Sequence, residues 1–166
     1  MGSRRFVVDE ATATASFLAS SSVHTIRSSA AVSGWFDADI EGGRFGAASS
    51  ISGHLEIPVE GLSSGNPIID REMRRRAGSD RHLQIVGDIE STLEIETTCA
   101  TITGMIDFFG ESELVEGEIR LLSGPRIAGI GEFDVRWWGF EPPKFLMLRV
   151  DPIVTVEIDL PLSYDA

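Results

Sequence analysis

The strongest constraint on what this chain can become is an alternation of side-chain character with a period of two, repeated along most of its length. Its longest stretch covers residues 83–96. Leu83, Ile85, Gly87, Ile89, Ser91, Leu93 and Ile95 fall on one row, and His82, Gln84, Val86, Asp88, Glu90, Thr92, Glu94 and Glu96 on the other, mostly polar one. Successive side chains of a β-strand leave opposite faces of the sheet, so this pattern describes a strand with one face in a core and one in water. A helix would repeat its apolar positions every three or four residues instead. Val32, Gly34, Phe36, Ala38 and Ile40 make a second such row, and Ile51, Gly53, Leu55, Ile57 and Val59 a third. The period returns over residues 100–108, 115–121, 127–137 and 154–162, with shorter strands expected near residues 5–8, 12–20 and 23–28.

Glu41-Gly42-Gly43, Phe109-Gly110-Glu111 and Ser123-Gly124-Pro125 interrupt these runs and read as hairpin turns. About eight antiparallel strands joined by sequential hairpins predict an all-β, up-and-down barrel, because closing the sheet removes its exposed edges. A two-sheet sandwich is the alternative. One segment breaks the period. Asn66 is a good N-cap, Pro67 suits the first helical position, Asp70 and Glu72 lie early, and Arg74, Arg75 and Arg76 lie late. This predicts one short helix over residues 67–77, with Gly78 as its stop and Ile69 and Met73 covering one side of the barrel. The length of 166 residues fits one domain, taken as residues 4–166.

The charge balance narrows the partners. Fourteen Lys and Arg against 26 Asp and Glu give a net charge of −12, which argues against a nucleic-acid backbone or an anionic membrane surface. No apolar stretch approaches the length of a membrane span, and the opening MGSRRFVV has no apolar run behind its arginines. The expected location is the cytoplasm. The single cysteine, Cys99, excludes an internal disulfide framework and reads as a half-buried strand residue.

Catalytic patterns are weak. His24, His54 and His82 fall on three different strands, so neither a metal site nor a metal ligand set is expected. There is no G-x-S-x-G elbow and no Gly-rich phosphate loop leading into a helix, so neither a catalytic residue nor a cofactor is assigned. Arg74, Arg75 and Arg76 read as a solvated helix end.

The inward rows are rich in small residues: Ala13, Ala15, Ala19, Gly34, Ala38, Gly53, Gly87 and Gly104. An eight-stranded barrel is just wide enough either to be filled by side chains or to hold one small ligand. The pattern leaves both outcomes open. If the interior is hollow, the parity of the strands lines it with Phe17, Phe36, Leu55, Ile57, Leu83, Ile85, Ile102, Phe108, Phe133, Val135 and Trp137. Enlarging Gly53 or Ala38 would then fill space. The segment Trp138-Gly139-Phe140-Glu141-Pro142-Pro143-Lys144-Phe145 reads as a stiff apolar hook, with Phe140 and Phe145 closing the mouth. A plug against the outer wall, or a contact between two copies in a homodimer, are the other readings of that loop.

Segment order adds a resemblance. RFVVDEATATASFLAS (residues 5–20) resembles the opening strand pair of the YceI-like family, and VSGWFDADIEG (residues 32–42) resembles its G-x-F strand, with Gly34 and Phe36 at the matching positions. LEIPVEGLSSGNPIIDREMRR (residues 55–75) is similar to the family's strand, Gly-Asn turn and helix, and residues 131–160 to its C-terminal strands and loop. The chain departs from the family at Arg81-His82 and at Ser63-Ser64-Gly65. The resemblance implies a lipocalin-like barrel that holds a polyisoprenoid or similar long amphiphile, with no catalytic residues. Two functional classes follow: a carrier for a hydrophobic small molecule, or an enzyme isomerising or cyclising an apolar substrate in the same cavity. The enzyme would need an inward acid or base, and Arg27 is the one charged residue placed on an inward row.

Overall fold

The structure is a computed structural model and describes residues 2–46, 50–77, 84–142, 144–145 and 148–164. The alternating runs form β1 (Arg4–Val8), β2 (Thr14–Ser21), β3 (Thr25–Ala31), β4 (Ser33–Ala38), β5 (Ile40–Glu41), β6 (Arg44–Phe45), β7 (Ser52–Pro58), β8 (Gln84–Ile95), β9 (Cys99–Phe108), β10 (Glu111–Leu122), β11 (Arg126–Asp134), β12 (Lys144–Phe145) and β13 (Leu148–Tyr164). The helix α1 spans Pro67–Ala77.

β1 and β2 lie end to end along β13 and act as one wall strand, interrupted at residues 9–13. β3 and β4 act as another, broken only at Val32. The wall then runs β1/β2, β3/β4, β7, β8, β9, β10, β11, β13 and back to β1, an eight-stranded antiparallel barrel. Phe6, Val7 and Val8 close it by pairing with Tyr164, Ser163 and Leu162. The expected turns fall where the glycines stand: residues 42–43 join β5 to β6, residues 109–110 join β9 to β10, and residues 123–125 join β10 to β11. Phe109 and Gly110 both take positive φ, 54° and 78°, as a type I′ hairpin turn requires. Among the described residues no helix is long and apolar enough to cross a membrane.

The longest alternating run is not a uniform strand. β8 carries bulges between Ile89 and Ser91 and between Thr92 and Glu94. Each inserts an extra residue and shifts the parity by one. Ser91 therefore joins the outward row beside Thr103, while Thr92 turns inward and its Oγ1 accepts from the Ile51 amide at 3.0 Å. Leu93, expected inside, is 56% exposed.

In an up-and-down barrel alternate connections share an end. The connections β4–β7, β8–β9 and β10–β11 close one end, and there the interior is solid. Phe6, Val8, Phe45, Ile51, Leu121, Ile127 and Leu160 are buried together, and Phe45, from the β5–β6 hairpin, anchors its amide to the Thr97 carbonyl at 2.8 Å. Ala13, Ala15 and Ala38, expected to leave free volume, belong to this packed end, where larger neighbours fill the space.

The opposite end carries the β2–β3 turn, α1, the β9–β10 turn and the β11–β13 connection. β7 stops at Pro58, so beyond its end the edge of β3 is met by a 3₁₀ turn (Val59–Gly61) and a bridge from Ser29 to Ser63. α1 follows this weakened stretch of wall. Asn66 caps it as expected, its Oδ1 accepting from the Ile68 amide at 3.0 Å. Asp70, buried, accepts from the Ser64 amide at 2.8 Å and from its hydroxyl at 2.6 Å. Arg75 and Arg76 pair with Glu72 and hold its carboxyl down to about 2. Arg74 turns instead to the Leu62 carbonyl, donating at 2.9 Å.

Gly34 is fixed by contact rather than by spare volume. Its φ is +146°, and a Cβ there would lie 1.9 Å from the His54 carbonyl oxygen of β7. Gly34→Ala combines a disfavoured backbone with a clash against backbone atoms, and is expected to cost at least about 3 kcal/mol. Urea denaturation of the variant against the parent measures it.

Candidate ligand cavity

The open end of the barrel holds a cavity of about 280 Å³. Its depth follows from the strands. On β2, Phe17 and Ala19 line it and Ala15 does not; on β3, Ile26 and Ser28 line it and Ala30 does not. Ile119 and Ile158 form part of the floor above the packed end. The interior is thus half core and half cup.

Most of the residues expected to line a hollow barrel do so. Phe17, Phe36, Leu55 and Ile57 stand on the wall from β2 to β7. Ile85, Ile102 and Phe108 continue it over β8 and β9, and Phe133, Val135 and Phe140 complete it toward the mouth. Leu83 and the side chain of Phe145 lie outside the described residues. Sequence parity missed Val154, Val156 and Ile158 on β13, whose alternation over residues 154–162 already placed them on one row. Met73 of α1 also reaches the cavity, where β7 has ended.

Trp137 is a correction. It is 53% exposed, and Trp138, 3% exposed, lines the cavity in its place. β11 ends at Asp134, whose carboxylate accepts from the Arg136 amide at 2.9 Å and caps a 3₁₀ turn (Val135–Trp138). In such a turn residues three apart share a face, so Val135 and Trp138 point inward and Trp137 points out. The Trp138 indole N–H donates to the Ile106 carbonyl at 2.9 Å. Gly139, at φ +74°, then reverses the chain. Phe140 packs on Phe108 and Phe109, with ring centroids 5.2 and 5.6 Å away. Trp138 and Phe140, the described aromatics of the hook, therefore sit at the mouth, with Phe140 against the β9–β10 turn.

Two further expectations change. Gly53 does not face free space, because a Cβ there would meet the Phe36 ring at 3.0 Å and the Trp35 carbonyl at 3.1 Å. Gly87 does face it, with no heavy atom within 4 Å of its Cβ position. Arg27 lies on the outward row of β3, exposed, with Nη2 donating to Ser16 Oγ at 3.3 Å. The row that enters the cavity is Ile26 and Ser28, one residue out of register with the expected parity.

The outer wall behind the cavity is stitched by charge. Arg5 pairs with Asp37 at 2.8 Å and stacks over Trp35 at 3.9 Å, and Trp35 stacks on His54 with centroids 6.4 Å apart. His54 bridges two carboxylates, Nδ1 to Asp88 at 2.6 Å and Nε2 to Glu56 at 3.0 Å. Hydrogen bonds to Glu56 and then Asp88 raise its pKa, so the imidazolium ties β7 to β8.

No family model and no curated protein matches the sequence. Solved structures do match in shape. BcnA of Burkholderia cenocepacia superposes with a TM-score of 0.75 at 12% identity, over 94% of this chain and 99% of that one. A polyisoprenoid binding domain from Saccharophagus degradans, implicated in plant cell wall breakdown, gives 0.69 at 12% identity over 96% and 98%. The YceI protein of Campylobacter jejuni gives 0.64 at 11% identity over 81% of each chain. The chain has the YceI-like fold. Within that YceI-like barrel, Met73 of α1 and Trp138 and Phe140 of the hook contribute to the mouth.

Two outcomes follow. Trp138→Ala is expected to cost about 3–5 kcal/mol, as for other buried Trp truncations, while Trp137→Ala costs under about 1 kcal/mol. Chemical denaturation of the two variants checks the order. The His54 contribution is present in full below the ordinary histidine value of 6.5 and is lost as pH rises through the raised folded-state value. His54→Gln should therefore lower the melting temperature more at pH near 5.5 than near 9, by an amount worth under about 1 kcal/mol. An equal loss at both values would remove the imidazolium from the account.

Proposed function

We propose that this chain is a carrier that shields a long apolar chain, a polyisoprenoid or another amphiphile, from water inside the cup. The observation that carries the reading is the division of the interior: one end packs solid, and the other leaves a cavity walled by aliphatic and aromatic side chains and by glycines such as Gly87. Each buried methylene contributes about 0.8 kcal/mol, so a dozen supply about 10 kcal/mol before the costs of immobilising the ligand. Affinity of this kind needs few polar contacts. The polyisoprenoid binding domain from Saccharophagus degradans, which shares the fold, supports a hydrophobic ligand. Residues 4–166 act in this reading as one domain.

The enzymatic alternative requires an acid or base within the cavity. Among the described residues, the lining contains no Lys, Arg or His. Of the three carboxylates that border it, Asp88 faces His54 on the outer wall, Glu118 is exposed on the outward row of β10, and Asp151 is exposed and accepts from the Ile153 amide. This favours binding over isomerisation or cyclisation.

Native mass spectrometry of the protein from its own host, followed by extraction, identifies what it carries. The cavity itself is tested by size. Gly87→Leu places a side chain in open space and is expected to weaken binding of geranylgeraniol at least tenfold while leaving the melting temperature nearly unchanged. Gly53→Leu, against the Phe36 ring, is expected to cost about 1–3 kcal/mol by overpacking. Full binding by a folded Gly87→Leu protein would place the ligand elsewhere.

A further inference from the structure

Ser28 breaks the apolar lining. It lies on the inward row of β3 between Ile26 and Ala30, paired across to Phe17 of β2, and is 3% exposed. Its Oγ has no hydrogen-bond partner. Among the described residues the only other buried side-chain polar atom in that condition is Nε of Arg74, whose guanidinium already donates to Leu62 through Nη2. Among the described residues Ser28 is therefore the one side chain whose whole polar capacity is buried and unused. Such a hydroxyl lowers stability unless something completes it.

Its position says where that something must come from. On β3 the cavity reaches Ile26 and Ser28 and stops before Ala30, so Ser28 marks the depth at which the cup gives way to packed core. The other lining residues with polar side chains are engaged or turned away. Asp88 pairs with His54, Asp151 accepts from the Ile153 amide at 2.8 Å, and Glu118 is exposed. A serine side chain has one heavy-atom torsion, so a change of staggered rotamer re-aims Oγ. A hydroxyl both donates and accepts, so it can meet a carbonyl, an ether or another hydroxyl.

We propose that the occupant is a neutral amphiphile whose single oxygen function, a hydroxyl or a carbonyl, lies at the bottom of the cup against Ser28 Oγ, with its apolar chain rising toward the mouth. This rests on the carrier reading and narrows its ligand class. A carboxylate or phosphate at that depth does not fit. No lining cation would pair with it among the described residues, and a buried unpaired anion is far more costly than a neutral oxygen.

The test uses ligands of one length that differ only in the terminal group: dodecane, 1-dodecanol and dodecanoate. Each is delivered from cyclodextrin and displaces bound N-phenyl-1-naphthylamine. The parent protein should bind the alcohol about tenfold more tightly than the hydrocarbon, the size of one net hydrogen bond, with the carboxylate weakest. Ser28→Ala should bring alcohol and hydrocarbon to nearly equal affinity, leave hydrocarbon binding within about twofold, and raise the melting temperature of the empty protein. Ser28→Thr, which keeps a hydroxyl, should keep the preference for the alcohol. An alcohol preference untouched by Ser28→Ala, or tightest binding by dodecanoate, overturns the assignment of Ser28 while leaving the carrier reading in place. Failure of all three ligands to bind folded parent protein overturns both.

Discussion

The rest of this molecule depends on the seam that β1 and β2 make along β13, and the three pairs from β1 complete it. Phe6, Val7 and Val8 meet Tyr164, Ser163 and Leu162, and so join the first strand of the chain to the last. Without them β1 and the end of β13 would be open edges, with a row of unpaired amides and carbonyls on each. With them the sheet has an inside. Phe6 and Leu160 are then fully buried, because the closed wall surrounds them at the solid end.

Once the inside exists, its contents are decided strand by strand. At the solid end large side chains from β1, β10, β11 and β13 meet the β5–β6 hairpin and leave no room. Toward the mouth, Gly87 puts no side chain into the same space, and β7 gives out at Pro58. The wall there is continued by the 3₁₀ turn after β7 and by Met73 of α1, and Trp138 and Phe140 stand on the other side. The cup is what remains when one half of an eight-stranded interior is filled and the other is lined.

The regular part of this was legible in the sequence. The alternation, the glycine turns and the Asn66-Pro67 helix start each carry a local physical signal, and each appears where it was expected except within β8 and at the end of β11. What was not legible comes from events that reset parity or depend on a distant neighbour. The two bulges in β8 leave no local trace, and they turn Leu93 out and Thr92 in. The exchange of Trp137 for Trp138 follows from a strand that ends at Asp134 and continues as a tighter turn. Gly34, Gly53 and Gly87 look alike in the sequence. One is forced by a carbonyl on β7, one is covered by a phenyl ring, and one faces open space. Only the register of the neighbouring strands distinguishes them.

The solid end has a kinetic meaning. A tube open at both ends lets a long molecule thread through, but a cup floored by Ile119 and Ile158 has a single doorway. In the proposed carrier, whatever enters first would leave last, so loading and unloading would be the same path travelled in opposite directions. Chain length would be gauged against this fixed stop, with any excess left projecting past Phe140.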